Sequence, residues 1–285
     1  MGASLSVSTW SLHRTLGQPD LYGPEQGFLI PPRKPEKNVL SLFQLPAHLA
    51  EHGIFTLELC HFHLPQLDRE YLADVRAALE ASRIELFSLL IDDGDLTHPI
   101  NALRDMEWIR SWIDVAGQLG ARRVRVIAGK APFSAEALDQ SVHFLRQLAE
   151  HAHGWGIRLM TENWFGLLSQ PAAVKALLER LEGNAGLCFD FGNWRGPTKY
   201  DDLRAIASFA ESCHAKAHFT ALGRMDVDDY VRCLNITQAV GFSGPYTLIY
   251  DGPDEDEWAG LNREREVVGP YLAQSQPFSD MHSPN

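Results

Sequence analysis

Cysteine is scarce in this 285-residue chain, and its four residues (Cys60, Cys188, Cys213 and Cys233) lie far apart with no CxxC pair. That spacing excludes a zinc ribbon and a disulfide framework, and reads as buried, reduced thiols of a cytoplasmic protein. Positive charge is short as well: 25 Lys and Arg stand against 37 Asp and Glu, for a net charge of −12. Nucleic-acid binding draws on clustered basic residues, so no nucleic-acid partner is expected. No apolar run reaches membrane-spanning length, since even Ile84–Ile91 is cut by Glu85 and Ser88. Met1–Thr9 carries no basic stretch and no long apolar core, so neither a signal peptide nor a membrane partner is expected. The phosphate-cradling patterns GxGxxG and GxxxxGK[ST] are also missing.

What the chain does have is recurrence. Short β-type runs occur at Leu5–Thr9, Ile54–Leu59, Ile84–Leu90, Arg123–Ile127, Ile157–Thr161, Ala185–Phe189, Cys213–Ala217 and Tyr246–Tyr250. After the first they return about every 30 residues, the length of one βα unit. Several are nearly continuous hydrophobics, as parallel strands buried on both faces require. Between them, helical spacing predicts helices over Tyr71–Ala81, Trp108–Leu119, Ala135–His151, Ala172–Leu181, Leu203–Ala210 and Val227–Val240. Gly53, Gly120, Gly156 and Gly241 sit where helix C-caps belong, and Ser134 where an N-cap belongs. Eight strands alternating with helices predict a single-domain α/β fold, a (β/α)₈ TIM barrel over residues 1–273, with a polar tail over 274–285. The competing doubly wound sheet needs fewer strands and a Gly-rich loop that this sequence lacks.

The first connection departs from the pattern. Ser11 to Asn38 shows no clean helix, and GFLIPPRKP at Gly27–Pro35 holds three prolines. On a barrel it would lie over the C-terminal face, where active sites are built. The acidic run Asp254–Glu257 reads as a solvated helix start.

Functional residues of a barrel gather where strands end. Glu162 follows IRLMT, Asp190 follows GLCF, and His214 and Lys216 lie in CHAKAHF, with His218 two residues on. Glu, Asp and His at the ends of three consecutive strands suit a divalent metal such as Mn²⁺, Co²⁺, Mg²⁺ or Zn²⁺. Taken singly, each has a plainer use; Asp190 before Gly192 and Asn193 also suits a turn.

Several segments then carry a resemblance: GIFTLELCHFH, LGARRVRVIAG, TENWFG, CFDFGNW, CHAKAHF and GFSGPYTLIYDG. In this order and spacing, from Leu5 to about Asp251, the chain resembles the sugar phosphate isomerase/epimerase superfamily of xylose isomerase-like barrels. The resemblance implies a metal held by Glu, Asp, His and Glu from the fifth to eighth strands, matched here by Glu162, Asp190 and His214. At the fourth position this sequence has Ile249, so Asp251, two residues on along the same strand face, is the expected substitute. The resulting site is expected to be open and to lose its ion readily. Asn193 also stands where many epimerases carry a histidine.

The resemblance further implies a metal-dependent isomerase or epimerase of a small polyhydroxylated substrate, working by proton transfer through an enediolate. Glu162 is the expected base, and Lys216 an acid of lowered pKa, with an ion pair to Asp190 or Glu162 as its other reading. Losing the second Glu leaves open a lyase or hydrolase on a sugar conjugate, or a degenerate sugar-binding barrel. The endonuclease branch is the least expected, since the charge is wrong and the multi-histidine, multi-carboxylate set for three zinc ions is not evident. Related barrels commonly self-associate, so a homo-oligomer is expected. Expected substrate contacts are Trp10, Trp164 and Trp194 by stacking, His61 and His63 closing the second strand in ELCHFH, and Arg125 and Lys130 toward a phosphate or carboxylate. Asn163, Asn193 and His218 complete that set. Glu58 shares the ELCHFH run, and IDDGDL (Asp92, Asp93, Asp95) is expected to turn one carboxylate toward the pocket.

Overall fold

Eight strands form in the computed structural model, which describes residues 2–32 and 39–273. They are β1 (Ser4–Ser8), β2 (Thr56–Cys60), β3 (Glu85–Leu90), β4 (Arg123–Val126), β5 (Arg158–Glu162), β6 (Ala185–Asp190), β7 (Ala210–Lys216) and β8 (Pro245–Ile249). All pair in parallel in chain order, and β8 returns to pair with β1, closing the barrel. The helices are α1 (Leu45–Glu51), α2 (Arg69–Ala81), α3 (Ala102–Leu119), α4 (Ala135–Gly154), α5 (Pro171–Leu181), α6 (Lys199–Ile206), α7 (Val227–Ala239) and α8 (Glu257–Ala273). This is the (β/α)₈ TIM barrel expected from the alternation, as a single domain.

Helices α2 and α3 turn an apolar stripe onto the outside of the barrel. Leu72, Val75 and Leu79 of α2, and Ile109, Trp112, Ile113 and Ala116 of α3, are buried in one continuous core. Helix ends follow the expected punctuation. Gly120 caps α3 in the left-handed conformation, and the Ser134 hydroxyl accepts the Ala137 amide at the start of α4. Helix α1 was not expected, and of α8 only the start, at Asp254–Glu257, was.

The first connection crosses the C-terminal mouth of the barrel as two single 3₁₀ turns, Thr9–Leu12 and Pro24–Gln26. Gly23 passes so close to the Asp93 carboxylate that any β-carbon there would collide with it. The loop is also tied to α8. Glu257 is buried and accepts the amides of Arg14 and Thr15 and the Thr15 hydroxyl, at 2.8, 2.9 and 2.7 Å. Glu257 is therefore a buried anchor and not part of a solvated helix start. Residues 33–38 of this loop and the expected tail over 274–285 lie outside the described residues.

Candidate active site

Strand register brings the polar residues of the barrel interior to one level. Glu162 of β5 sits opposite Cys188 of β6, and Asp190 of β6 opposite His214 of β7. Alternate residues of a strand share a face, so Cys188 and Asp190 both point into the lumen, as do His214 and Lys216. All but Lys216 are buried.

His214 is the hub. Its Nε2 lies 2.7 Å from Oε2 of Glu58, while Nδ1 lies 3.5 Å from Oε1 of Glu162 and 3.8 Å from Oδ2 of Asp190. Burial alone would lower its pKa, but Cys188, Glu162 and Glu58 outweigh burial and raise it well above the ordinary histidine value. Glu58, from β2, was not among the expected site residues. It sits in the apolar run LELC, and only the closed barrel brings it across to His214.

Glu162 is held from two sides. Asn193 Nδ2 donates to its Oε1 at 2.7 Å, and the Arg125 guanidinium approaches its Oε2 at 3.1 Å. Burial would raise this carboxyl, but Arg125 and His214 bring it down to about 2. Arg125 is clamped on its other edge by Asp92 at 2.5 Å and lies over the Trp164 ring at 5.4 Å. Asp190 behaves in the opposite way: burial and then Glu162 push it up to about 6. Its Oδ1 accepts the amides of Gly192 and Asn193 at 2.6 and 2.7 Å, so the turn-forming use read from the sequence is realised.

Above these groups opens a cavity of about 320 Å³. Trp10, Tyr22, Phe62, Trp164, Phe165 and Ile249 give it apolar walls. Asp92, Asp93, Arg125, Lys130, Glu162, Asp190, Asn193, His214 and Lys216 supply polar groups, and His61 lies at its edge. Such a mixture suits a small molecule with several hydroxyls and a flat apolar side.

Not every candidate reaches it. Trp194 is buried elsewhere and donates Nε1–H to the Leu168 carbonyl. Asn163 braces the backbone of Asp190 through two hydrogen bonds. The second strand stops at Cys60, and His61–His63 form a 3₁₀ turn, so the two histidines do not share a strand face. His61 bonds the Tyr22 carbonyl and accepts the Asp92 amide; burial lowers its pKa. His63 contacts Thr9 and His13 instead of the cavity. His218 is exposed and lines a neighbouring depression together with Asp251.

Lys216 pairs with Asp251 at 2.6 Å, a partner not expected from the sequence. Burial would lower its pKa, but Asp190 and Asp251 outweigh burial and raise it, so the ammonium is held charged. The expectation of a lowered pKa is therefore corrected. Asp251 itself is exposed and lies with Lys216, not in the cluster around His214. Of the IDDGDL carboxylates, Asp92 and Asp93 both face the cavity, while Asp95 accepts hydrogen bonds from Thr97 and from the Lys130 amide.

Among the described residues, one group of three potential metal-ligating side chains converges, with ligand atoms all within 4.8 Å of one another: Glu162, Cys188 and His214. Residues 46–265 match the family model of the xylose isomerase-like TIM barrel. The chain belongs to this family. Solved structures of the same fold include an L-ribulose 3-epimerase, at 16% identity and a TM-score of 0.70, covering 99% of this chain and 100% of that one. The probable 3-DHS dehydratase AsbF from Bacillus anthracis matches at 15% identity and a TM-score of 0.66, covering 93% and 98%. A xylose isomerase-like TIM barrel protein from Mycobacterium smegmatis, in complex with magnesium, matches at 15% identity and a TM-score of 0.65, covering 96% and 98%. No curated protein matches the chain in sequence.

Proposed function

We propose that this family member is a divalent-metal-dependent isomerase or epimerase of a small polyhydroxylated carbonyl compound, acting by proton transfer. One observation carries the reading: three buried carboxylates, Glu58, Glu162 and Asp190, surround a single buried imidazole at 2.7, 3.5 and 3.8 Å at the base of the cavity. Surroundings that negative hold a proton on His214, and they equally attract a dication. The donor set fits one. Glu162 Oε2 is a buried oxygen that makes no hydrogen bond of full geometry and has the Arg125 guanidinium beside it at 3.1 Å, and Glu58 fixes His214 by one ring nitrogen, leaving the other toward Glu162. Glu162, His214 and either Asp190 or Cys188 would hold the ion; Asp251 would stand aside with Lys216.

A metal bound there supplies a Lewis acid for a substrate carbonyl oxygen. The protein supplies the rest. Glu162 accepts the carbon-bound proton beside that carbonyl, and Asn193 and Arg125 orient its two oxygens. The charged Lys216 faces the negative charge that develops as the proton leaves, and returns a proton to oxygen or carbon. Trp10 and Trp164 stack on the flat side of the substrate, and Lys130 with Asp93 meets its distal hydroxyls. Two structural neighbours, an L-ribulose 3-epimerase and a probable 3-DHS dehydratase, agree with carbonyl-linked proton chemistry.

Ile249 favours a second reading. It puts an apolar wall where a second carboxylate base would stand, and β-elimination needs one base with one leaving-group acid, which Glu162 and Lys216 provide. A panel of keto-sugars and polyol ketones, assayed after chelation and after adding back Mn²⁺, Co²⁺, Zn²⁺ or Mg²⁺, tests the proposal. Epimer or isomer formation that chelation abolishes and metal restores supports it; turnover untouched by chelation overturns it.

A further inference from the structure

We propose that the metal centre is built on sulfur, with Cys188 as a direct ligand beside Glu162 and His214, so that the site selects Zn²⁺ or Co²⁺ over Mg²⁺. The inference rests on the metal-centred reading above and names which of this chain's side chains complete the site.

Three observations converge. Glu162 and Cys188 are register partners on β5 and β6, which puts the thiol and the carboxylate at the same height in the lumen. The ligand atoms of Glu162, Cys188 and His214 lie within 4.8 Å of one another, close enough for a single ion to touch all three. Asp190, the carboxylate the family resemblance assigns, has turned one oxygen to the Gly192 and Asn193 amides and keeps its other 3.8 Å from His214. On the far wall Ile249 offers no donor. The third donor grouped with Glu162 and His214 in this chain is sulfur.

Cys188 is buried beneath the cavity floor, while Glu162 and His214 line the floor itself. An ion held there would meet the cavity on the side of Glu162 and His214, where a catalytic site keeps a position for water or substrate. When the ion binds, the metal–sulfur bond forms as the S–H bond breaks, and the proton leaves to bulk solvent; no electron changes hands. A thiolate ligand suits Zn²⁺ and Co²⁺, whereas Mg²⁺ demands oxygen donors. This chain would therefore differ in metal preference from its magnesium-bound structural neighbour.

Titrating the metal-free protein with Co²⁺ and recording the near-ultraviolet spectrum reads sulfur ligation directly. The wild type is expected to develop a sulfur-to-cobalt charge-transfer band that Cys188→Ser lacks and Cys213→Ser retains. Calorimetry is expected to show a loss of Zn²⁺ affinity in Cys188→Ser of at least about tenfold, with Mg²⁺ binding changed by less than about twofold. Should Cys188→Ser fail to fold by circular dichroism, X-ray absorption of the Zn²⁺-loaded wild type replaces it: sulfur bound to zinc supports the proposal, and nitrogen and oxygen alone overturn it. Co²⁺ binding without the band overturns sulfur ligation and leaves the metal-centred reading standing. Absence of binding by any of these ions overturns both.

Discussion

The Glu58 carboxylate accepts a 2.7 Å hydrogen bond from Nε2 of His214, across the barrel and 156 residues away in sequence. Both groups are buried, and the bond fixes which ring nitrogen faces Glu162 and Asp190. Glu58→Gln preserves the shape but removes the negative charge behind the imidazole. Carboxylates in this position commonly govern metal affinity by about 10- to 100-fold. Calorimetric titration of the variant with Zn²⁺ or Mn²⁺ is expected to show a loss within that range, with far-ultraviolet circular dichroism unchanged.

Arg125 is the internal counter-ion of the site, clamped between Asp92 and Glu162. Arg125→Met leaves two carboxylates facing one another with no cation between them. Removing one partner of a buried pair costs roughly 3–5 kcal/mol, so urea midpoints are expected to fall accordingly. The same change releases Glu162 from its depressed value of about 2, and any acid limb of activity that it controls shifts to higher pH.

The last strand offers a gain-of-function test. Ile249 lines the cavity and pairs in register with Lys216. Ile249→Glu adds an oxygen donor where the family resemblance places one. Mn²⁺ binding is expected to tighten by roughly tenfold, because added ligand charge raises affinity for hard cations. Titrations of wild type and variant side by side measure this.

Away from the cavity, Glu264 of α8 is fully buried, and neither of its oxygens has a hydrogen-bond partner of full geometry. Burial raises its carboxyl well above the ordinary range, opposed in part by the Ala217 backbone and by Lys216. A folded-state value above the unfolded one means the folded chain binds the extra proton. That contribution is complete below the ordinary carboxylate value and is lost as pH rises through the raised one. Glu264→Gln removes the dependence. Its stability advantage over wild type is therefore expected to be larger at pH 8 than at pH 5, as read from urea midpoints.

The strands were legible because parallel strands buried on both faces must be largely apolar runs, as IELFSLLI and GLCF are. Helix α1 escaped, and so did the length of α8 beyond its start. α1 is only seven residues long with Pro46 as its second residue, while α8 buries Glu257 and Glu264 and carries Pro270 inside. Both features break the apolar stripe that periodicity detects. The same blindness hid Glu58 and the placement of Cys188. A carboxylate or thiol inside an apolar strand looks like core until register shows that it faces the lumen. Arg125, alternating with valines in RVRV, was visible for the same reason in reverse, since its charge stood out. The histidines of ELCHFH misled because the strand ends one residue before them.

The central claim, proton transfer at carbon by Glu162 in a metal-dependent site, is tested most directly by incubating metal-loaded protein with keto-sugars in deuterated water and locating the label by nuclear magnetic resonance. The account predicts deuterium at the carbon beside the carbonyl, in an epimer or isomer of the starting sugar, and no label when Glu162→Gln replaces wild type. Conversion that leaves that carbon unlabelled, or labelling that survives Glu162→Gln, would contradict it.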